Sequence, residues 1–287
     1  MPSVRQIRSR IRSVTNTARV TRAMQMVAAS KMRRAQEQVV ASRPYAEKLR
    51  SVLASLVSQG LDDTGDLHPL LAKRPVKNLV LIQITPDRGL AGGLPSNINR
   101  SAGQFLISQD VGTSVITVGR KGRDFMARAR RELKASFVGL GDRPKVADCR
   151  PITLIASELY QSGAVDAVHI AYTRFVNTLV QQPVIEQLLP IDVSDLTVTG
   201  PSDYVYEPDP KIVLSSLLPR FMETQVYQAI LESNASEQSA RMVAMRNATD
   251  AAEDMMDSLT LELNKARQAT ITAELLDLVG GVAALKG

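Results

Sequence analysis

The stretch that decides the fold is Met242–Ala266, MVAMRNATDAAEDMMDSLTLELNKA, near the carboxyl end of a chain of 287 residues. Apolar or small residues recur in it at alternating spacings of three and four: Met242, Met245, Thr249, Ala252, Met256, Leu259, Leu263 and Ala266. This is the heptad spacing of a coiled-coil seam, and its small members allow two helices to approach closely. Neither Gly nor Pro occurs between Arg220 and Val279, and Asp209-Pro210 has the residue types of a helix start. One long helix is therefore predicted over residues 208–287.

The amino end has a matching pattern. No Gly or Pro occurs from Ser3 to Arg43. The seam positions are Val4, Ile7, Ile11, Val14 and Ala18, and a second apolar set is Val20, Met24 and Val27. Pro44 is expected to bend this helix locally, and Gly60 with the polar run after it is expected to end it. Residues 1–60 are thus predicted to form the second helix of a rod, an antiparallel coiled coil.

Charge supports contact between the two ends. Residues 1–50 hold twelve Lys/Arg against two Asp/Glu, a local charge of +10. Residues 207–287 hold seven against twelve, a local charge of −5. Opposite charges favour contact between the ends, and the surplus of positive charge favours an acidic partner.

Between the helices the apolar pattern changes to that of an α/β domain. Short runs rich in β-branched residues, each bounded by turn residues, predict strands at Asn78–Ile84, Ser114–Val118 and Ala167–Tyr172. Helices are predicted between them at about Ser96–Ser108, Lys121–Arg131 and Pro151–Gln161. This alternation predicts a small, central, Rossmann-like α/β domain over residues 70–205, with a largely parallel sheet.

Residues that could support catalysis are sparse. The loop Asp87–Gly93 follows a predicted strand, where a phosphate-binding loop would lie, but it lacks the Lys-Ser/Thr ending and the GxGxxG spacing, so a structural turn is favoured. His68 and His169 are the only histidines and have no metal-ligand spacing around them. We therefore predict no catalytic residues, no cofactor and no metal, and a mechanical or scaffolding role.

The cysteine content and the apolar stretches give some information on the cellular compartment and on membrane insertion. Cys149 is the only cysteine, so no intramolecular disulfide can form, which fits a reducing compartment. No apolar stretch reaches the roughly 18–20 residues that span a bilayer, and the first residues lack the apolar core of a secretory signal.

Two apolar segments indicate contacts with other proteins. Residues 23–29, AMQMVAA, carry no charge within the basic first helix, and Met24 and Met26 cannot share one side of it. At the other end, residues 278–285, LVGGVAAL, are also uncharged, and a free helix tip of this kind would aggregate.

Two other functional classes remain open on the residues alone. A basic coiled-coil protein that binds nucleic acid is the main alternative, although the arginines are interleaved with the apolar seam instead of preceding it, as they do in basic zippers. A small α/β nucleotide-binding enzyme with helical arms is the other. Salt-resistant DNA retention would identify the first, and ATP binding by the isolated chain the second.

Three motifs resemble one known family over essentially the whole chain. They are IRSRIRSVTNTARVTRAMQMVAASKMRRAQ from residue 7, TPDRGLAGG from residue 85, and ARMVAMRNATDAAEDMM with LNKARQATITAEL from residues 240 and 263. In this order they closely resemble the gamma subunits of rotary F-type ATP synthases, of the bacterial type.

The resemblance implies a non-catalytic central-stalk rotor. It couples proton or sodium flow through a membrane ring of c subunits to the conformational cycle of three beta subunits. The terminal helices would turn inside a hexamer of three alpha and three beta subunits, and the α/β domain, with an epsilon subunit, would sit on the c ring. The implied location is peripheral, at the cytoplasmic face of the cell membrane.

The resemblance also assigns contact residues. Contacts with beta subunits are expected at Met24, Arg241, Arg267, Gln268, Thr272 and Glu274. Tyr204 and Glu207 would form the foot on the c ring. From the apolar pattern itself, Leu276, Leu278, Val279, Val282 and Leu285 are expected to form a bearing inside a sleeve supplied by other subunits.

Departures from the family pattern are few. Ala91 stands where many members carry Cys, Pro219 leaves open where the second helix begins, and the dithiol insert of chloroplast-type members is absent.

Overall fold

A computed structural model describes residues 3–60, 68–192 and 206–285. In these ranges the chain forms helices and strands in the order α1 (Val4–Gly60), β1 (Asn78–Ile84), α2 (Leu94–Ile107), β2 (Gly112–Val118), α3 (Arg120–Arg128), β3 (Glu132–Phe137), α4 (Val146–Gln161), β4 (Ala167–Phe175), β5 (Gln181–Leu189) and α5 (Pro210–Leu285). They fall into two compact units. Met1–Val27 and Met242–Gly287 form the first, here called the helix-pair unit, and Ala28–Arg241 form the second, the sheet unit.

The sheet unit is built on five strands in the order β3-β2-β1-β4-β5. β1 pairs in parallel with β2 and with β4, β2 pairs in parallel with β3, and only β5 is antiparallel. The predicted largely parallel sheet is therefore confirmed, as are the three predicted strands. The connections reverse direction between β1 and β4, which creates a crevice at the carboxyl ends of these strands.

Each face of the sheet is covered by helices. On one face, β1 residues Leu79 and Leu81 belong to a core shared with α2 and α3. On the other face, Val80 and Ile82 belong to a larger core with α4 and with parts of both long helices, including Leu53 of α1. Alternate residues of a strand point to opposite faces, so this central strand is apolar throughout.

Two strands that the sequence pattern did not predict lie at the edges of the sheet. β3 (ELKASF) alternates exposed and half-buried residues and contains a Lys. β5 (QQPVIEQLL) contains Pro183, which cannot donate a ladder hydrogen bond. Edge strands are only half covered, so their sequences carry polar residues and lack the continuous apolar run that marks β1.

One end of α4 and one end of α3 differ from the predicted position. α4 begins at Val146, five residues before the predicted start, because the Asp148 carboxylate accepts the backbone N–H of Lys145 at 2.7 Å. α3 ends at Arg128, three residues early; Arg130 has φ of 52° and β3 starts at Glu132.

The long helices begin and end close to where the sequence indicates. In α5, the Asp209 carboxylate accepts the N–H of Lys211 at 2.7 Å, and Pro210 is the first helical residue, as predicted. The helix continues through Pro219, so it begins at Pro210 and not after Pro219. In the same way α1 continues through Pro44 and ends at Gly60.

In the helix-pair unit, α1 and α5 run antiparallel. The Thr15 hydroxyl contacts the Met256 sulfur at 3.2 Å, and the hydroxyls of Thr21 and Thr249 lie 2.7 Å apart. Residue numbers therefore rise along α1 as they fall along α5.

Candidate functional site

The predicted seam of α5 is the surface that α1 covers. Met245, Thr249 and Ala252 are buried, and the other predicted members between Met242 and Ala266 are half-buried. On α1, Ile7 and Ala18 are buried, and the three remaining seam residues are half-buried. Arg22 and Glu253 form an ion pair across the two helices. The spacing thus predicted these seam residues, whereas Thr15 and Thr21 of α1, which also contact α5, were not among them.

Beyond Ala266 the environment of α5 changes. Every described side chain from Arg267 onward is exposed, although the helix runs on to Leu285. Four of the predicted beta-contact residues lie here: Arg267, Gln268, Thr272 and Glu274. The Thr272 hydroxyl is bonded within the helix, to the Gln268 carbonyl at 2.9 Å. These residues share one helical stretch that α1 leaves uncovered.

The predicted apolar bearing begins in the same stretch. Leu276, Leu278 and Val279 are 66%, 66% and 67% exposed. Burial of each such side chain would be favourable by roughly 1.5–3 kcal/mol, so the stretch has a strong tendency to acquire a partner. Val282 and Leu285 continue the helix, and their side chains lie outside the described structure.

The second apolar set of α1 is on the outside of the helix pair. Val20, Met26 and Val27 are more than half exposed, and Met24 is half-buried. The seam itself continues past Thr21, which is buried. α1 therefore presents an apolar face that does not belong to its pairing with α5.

Arg241 is placed differently from the other predicted contact residues. Its side chain is 12% exposed. The guanidinium donates to the Glu237 carboxylate at 2.6 Å, to the Gln238 amide oxygen at 3.1 Å and to the Gly89 carbonyl at 3.2 Å. All three partners belong to this chain. Burial raises the pKa of Glu237, and the Arg241 charge opposes that shift.

The predicted foot is only partly described. Glu207 is exposed and lies three residues before the first residue of α5, Pro210. Tyr204 lies outside the described residues.

A second crevice, at the carboxyl ends of β1 and β2 and beside the segment after β3, is lined by carboxylates. The Asp87 carboxylate accepts the N–H of Arg120, the first residue of α3, at 2.9 Å, and the N–H of Gly139 at 2.8 Å. It therefore occupies the helix N-terminus that a phosphate would need. Asp142 and Glu237 line the same crevice, a cavity of about 180 Å³. An anionic nucleotide would meet like charge there.

The turn into α3 depends on a glycine. Gly119 has φ of 101°, and a Cβ there would lie 1.9 Å from the carbonyl oxygen of Thr85. Only glycine fits this position, so the turn has a structural explanation.

Cys149 and His169 both take part in packing within the sheet unit. Cys149 is fully buried, and burial raises its pKa to about 12, so the thiol is protonated at neutral pH. His169 packs against Phe105 with ring centroids 5.1 Å apart, and burial lowers its pKa. Residues 3–60, 68–192 and 206–285 contain no cluster of three or more potential metal ligands. None of the helices in these ranges is long and apolar enough to cross a bilayer.

Comparison with known proteins gives one family. The family model described as ATP synthase matches residues 3–285. The ATP synthase gamma chain of Dehalococcoides mccartyi is 54% identical over 286 residues, which cover 99% of this chain and 100% of the relative. That of Chloroflexus aurantiacus is 50% identical over 290 residues, with 99% of both chains covered.

Solved structures agree. A chain of the central stalk and c ring of the Tetrahymena thermophila mitochondrial ATP synthase matches with a TM-score of 0.63 and 27% identity, covering 80% of this chain and 99% of that one. A chain of the Euglena gracilis mitochondrial ATP synthase, at 19% identity, has the same fold, with a TM-score of 0.69 over 98% of this chain and 94% of that one. The sequence relatives match along their full length, and the chain therefore belongs to the ATP synthase gamma-chain family.

Proposed function

We propose that this chain is the rotor of the central stalk in an F-type ATP synthase. It couples ion flow through a membrane c ring to the conformational cycle of three catalytic beta subunits. The observation that carries the proposal is the uncovered stretch of α5. From Arg267 to Val279 every described side chain of one continuous helix is exposed.

Asymmetry supplies the mechanism. A shaft with one distinct face cannot contact three identical beta subunits in the same way, so each beta subunit is biased toward a different conformation. Turning the shaft passes each bias to the next subunit. A shift of one site from 1:99 to 99:1 needs roughly 5.5 kcal/mol of differential contact, which many modest contacts along a helix pair can supply.

The predicted contact residues divide into two kinds. Met24, Arg267, Gln268, Thr272 and Glu274 form polar or mixed contacts with beta subunits. The apolar residues from Leu276 to Leu285 turn within an apolar sleeve, where the lack of charge avoids ion pairs that would stop the shaft at one angle. The α1–α5 pair winds as an antiparallel coiled coil, which the continuous heptad spacing supports.

The sheet unit is assigned to the membrane side. Tyr204 and Glu207 contact the c ring, together with an epsilon subunit, and the complex holds the chain at the cytoplasmic face of the membrane as a peripheral subunit. The chain has no catalytic role of its own, which the carboxylate-lined crevice supports. Calorimetry of the isolated chain with Mg-ATP should give no heat of binding; a micromolar site would contradict this assignment.

A paired substitution tests the beta contact. Arg267→Ala with Gln268→Ala should lower ATP synthesis by the assembled complex in vesicles, because both side chains face outward on the uncovered stretch. The matched control is Asn264→Ala with Lys265→Ala, two exposed polar residues three positions earlier on the paired stretch. Equal synthesis by the two double variants would contradict the contact. If the Arg267→Ala, Gln268→Ala variant instead unfolds at a lower temperature than the wild type, these two residues have a structural role.

A further inference from the structure

A chain of hydrogen bonds joins the loops at the carboxyl end of the sheet to both long helices. Asp142, in the segment after β3, is its centre. One carboxylate oxygen accepts Lys31 Nζ of α1 at 2.6 Å, and the other accepts Gln238 Nε2 of α5 at 3.2 Å. A single side chain of the sheet domain therefore contacts both helices.

The chain continues through the Gln238 amide. Its nitrogen donates to Asp142, and its oxygen accepts Arg241 at 3.1 Å. Arg241 donates in turn to the Gly89 carbonyl, in the loop after β1, at 3.2 Å. Five residues are thus joined in the order Gly89, Arg241, Gln238, Asp142 and Lys31, where Gly89 and Asp142 belong to sheet loops, Arg241 and Gln238 to α5, and Lys31 to α1. We call this set the clasp.

The loops that carry the clasp are held together. Asp87 binds the N–H groups of Arg120 and Gly139, and so joins the loop after β1 to the start of α3 and to the segment after β3. The Thr85 hydroxyl also accepts the N–H of Gly122 at 2.8 Å. The three loops therefore act as one body, and a force on either helix is passed to the sheet.

The Lys31–Asp142 ion pair at one end of the clasp adds little stability. Lys31 and Asp142 are 34% and 49% exposed, and ion pairs of this exposure contribute roughly 0–1 kcal/mol. Apolar packing already holds α1 and α5 on the sheet. Packing of that kind is non-directional, however, and resists sliding around a helix axis less than hydrogen bonds of fixed geometry do.

We propose that the clasp transmits torque between the α/β domain and the two long helices, with Asp142 and Arg241 as its positioning residues. This inference rests on the proposed rotor function. It assigns Arg241 an internal role, consistent with a guanidinium bonded to three groups of its own chain. Rotation of the α/β domain against the helices would have to stretch contacts to both helices at once.

Torsional stiffness of the assembled complex tests the proposal. With the catalytic subunits fixed to a surface and hydrolysis halted, the angular variance of a probe on the α/β domain measures compliance. Asp142→Ala removes the contacts to both helices and should raise that variance, because only the bond from Arg241 to Gly89 would then join the helices to these loops within the clasp. The urea midpoint of the free chain should fall modestly, because the buried Gln238 amide nitrogen loses its acceptor, so the angular variance is the deciding measurement.

A matched control and a rescue complete the experiment. Glu132→Gln breaks an ion pair with Lys134 inside β3, in the same unit, and should leave the variance unchanged. Exchange of the charges, Lys31→Asp with Asp142→Lys, should lower the variance again relative to Asp142→Ala, because one helix contact is restored.

The possible failures are distinguishable. If Asp142→Ala and Glu132→Gln give the same variance in a complex that rotates, the clasp does not carry torque. A lower urea midpoint without a change in variance would show a purely structural role and also overturn the inference. A probe on the wild-type chain that does not turn during hydrolysis would instead contradict the proposed rotor function.

Discussion

Two stretches of α5, Met242–Ala266 and Arg267–Val279, share a helical spacing of apolar residues but have opposite environments. Both lack Gly and Pro, and both carry apolar residues at helical spacing. In the first stretch these residues are buried or half-buried against α1, and in the second they are exposed. A helical apolar stripe therefore predicts a partner without saying whether that partner belongs to the same chain.

The largest effect that tests this contrast is expected from one pair of isoleucines. Ile7 is 1% exposed in the helix pair and Ile271 is 54% exposed beyond it. Ile7→Ala should destabilise the helix-pair unit by about 2–5 kcal/mol through lost burial and a residual cavity. Ile271→Ala should change the stability of the free chain by no more than about 0.5 kcal/mol.

The stability of the helix-pair unit in both variants can be measured by hydrogen exchange of the α1 amides in the free chain. A local measurement is needed because the two compact units need not unfold together. Equal effects would mean that the second stretch is covered by its own chain in solution.

A smaller effect is expected once partners are added. Leu276→Ala should weaken protection of the amides of residues 276–285 in the assembled complex, since burial of this side chain is worth roughly 1.5–3 kcal/mol. In the free chain the same amides should exchange quickly with or without the substitution. Leu261→Ala, an exposed leucine on the paired stretch, is the control and should have no effect in either state. Protection that is equal in the free and assembled protein would rule out a bearing.

The hydrogen-bonded pair Thr21 and Thr249 within the paired stretch should contribute less to stability than the apolar contacts do. Thr21 and Thr249 share a buried hydrogen bond, and Thr249 also reaches the Met245 carbonyl at 2.9 Å. Each hydroxyl has one hydrogen, so when Thr249 donates to its own helix, Thr21 must donate across. Thr249→Val should cost about 0.5–1.5 kcal/mol, and the double change with Thr21→Val should recover part of it. Urea unfolding followed on the helix-pair unit would show this; purely additive losses would mean that the pair is not coupled.

The smallest effect is expected on the pH dependence of stability, through Glu237, which lies just before the paired stretch. Burial raises the folded pKa of Glu237 above its unfolded value of 4.5. The folded chain then binds this proton more tightly than the unfolded chain, so the contribution of this group to stability is greatest below pH 4.5 and falls as pH rises through the folded pKa. Between pH 4.5 and 7, Glu237→Gln should make the free energy of unfolding less dependent on pH. A steeper dependence in the variant would contradict the raised pKa.

Sequence patterns predicted the parts of the molecule where one physical requirement dominates. Each seam position on α5 has to fit against a neighbouring helix, so the spacing identified the three buried residues of this stretch, Met245, Thr249 and Ala252. β1 is buried on both faces, and its continuous apolar run was correctly recognised. Helix starts were less accurate, because a cap such as Asp148 is one side chain whose effect depends on local geometry.

The rest depended on contacts between distant residues. β5 was missed since an edge strand needs no apolar run and tolerates Pro183. The clasp was missed because Lys31, Asp142 and Gln238 are ordinary surface residue types, separated by about a hundred positions each. Arg241 was singled out from a family resemblance, and its bonds to Glu237 and Gly89 were visible only in the structure.

The amide of Gln238 gives the clasp a chemical vulnerability. Its nitrogen faces Asp142 and its oxygen faces Arg241, so each end of the group has a different task. Deamidation would replace that nitrogen with oxygen and leave two carboxylates in contact, with almost no change in shape. Gln238 is 4% exposed, and exclusion of water slows the hydrolysis that this conversion requires. The durability of the connection over many cycles is therefore tied to how well α5 keeps water away from one nitrogen atom.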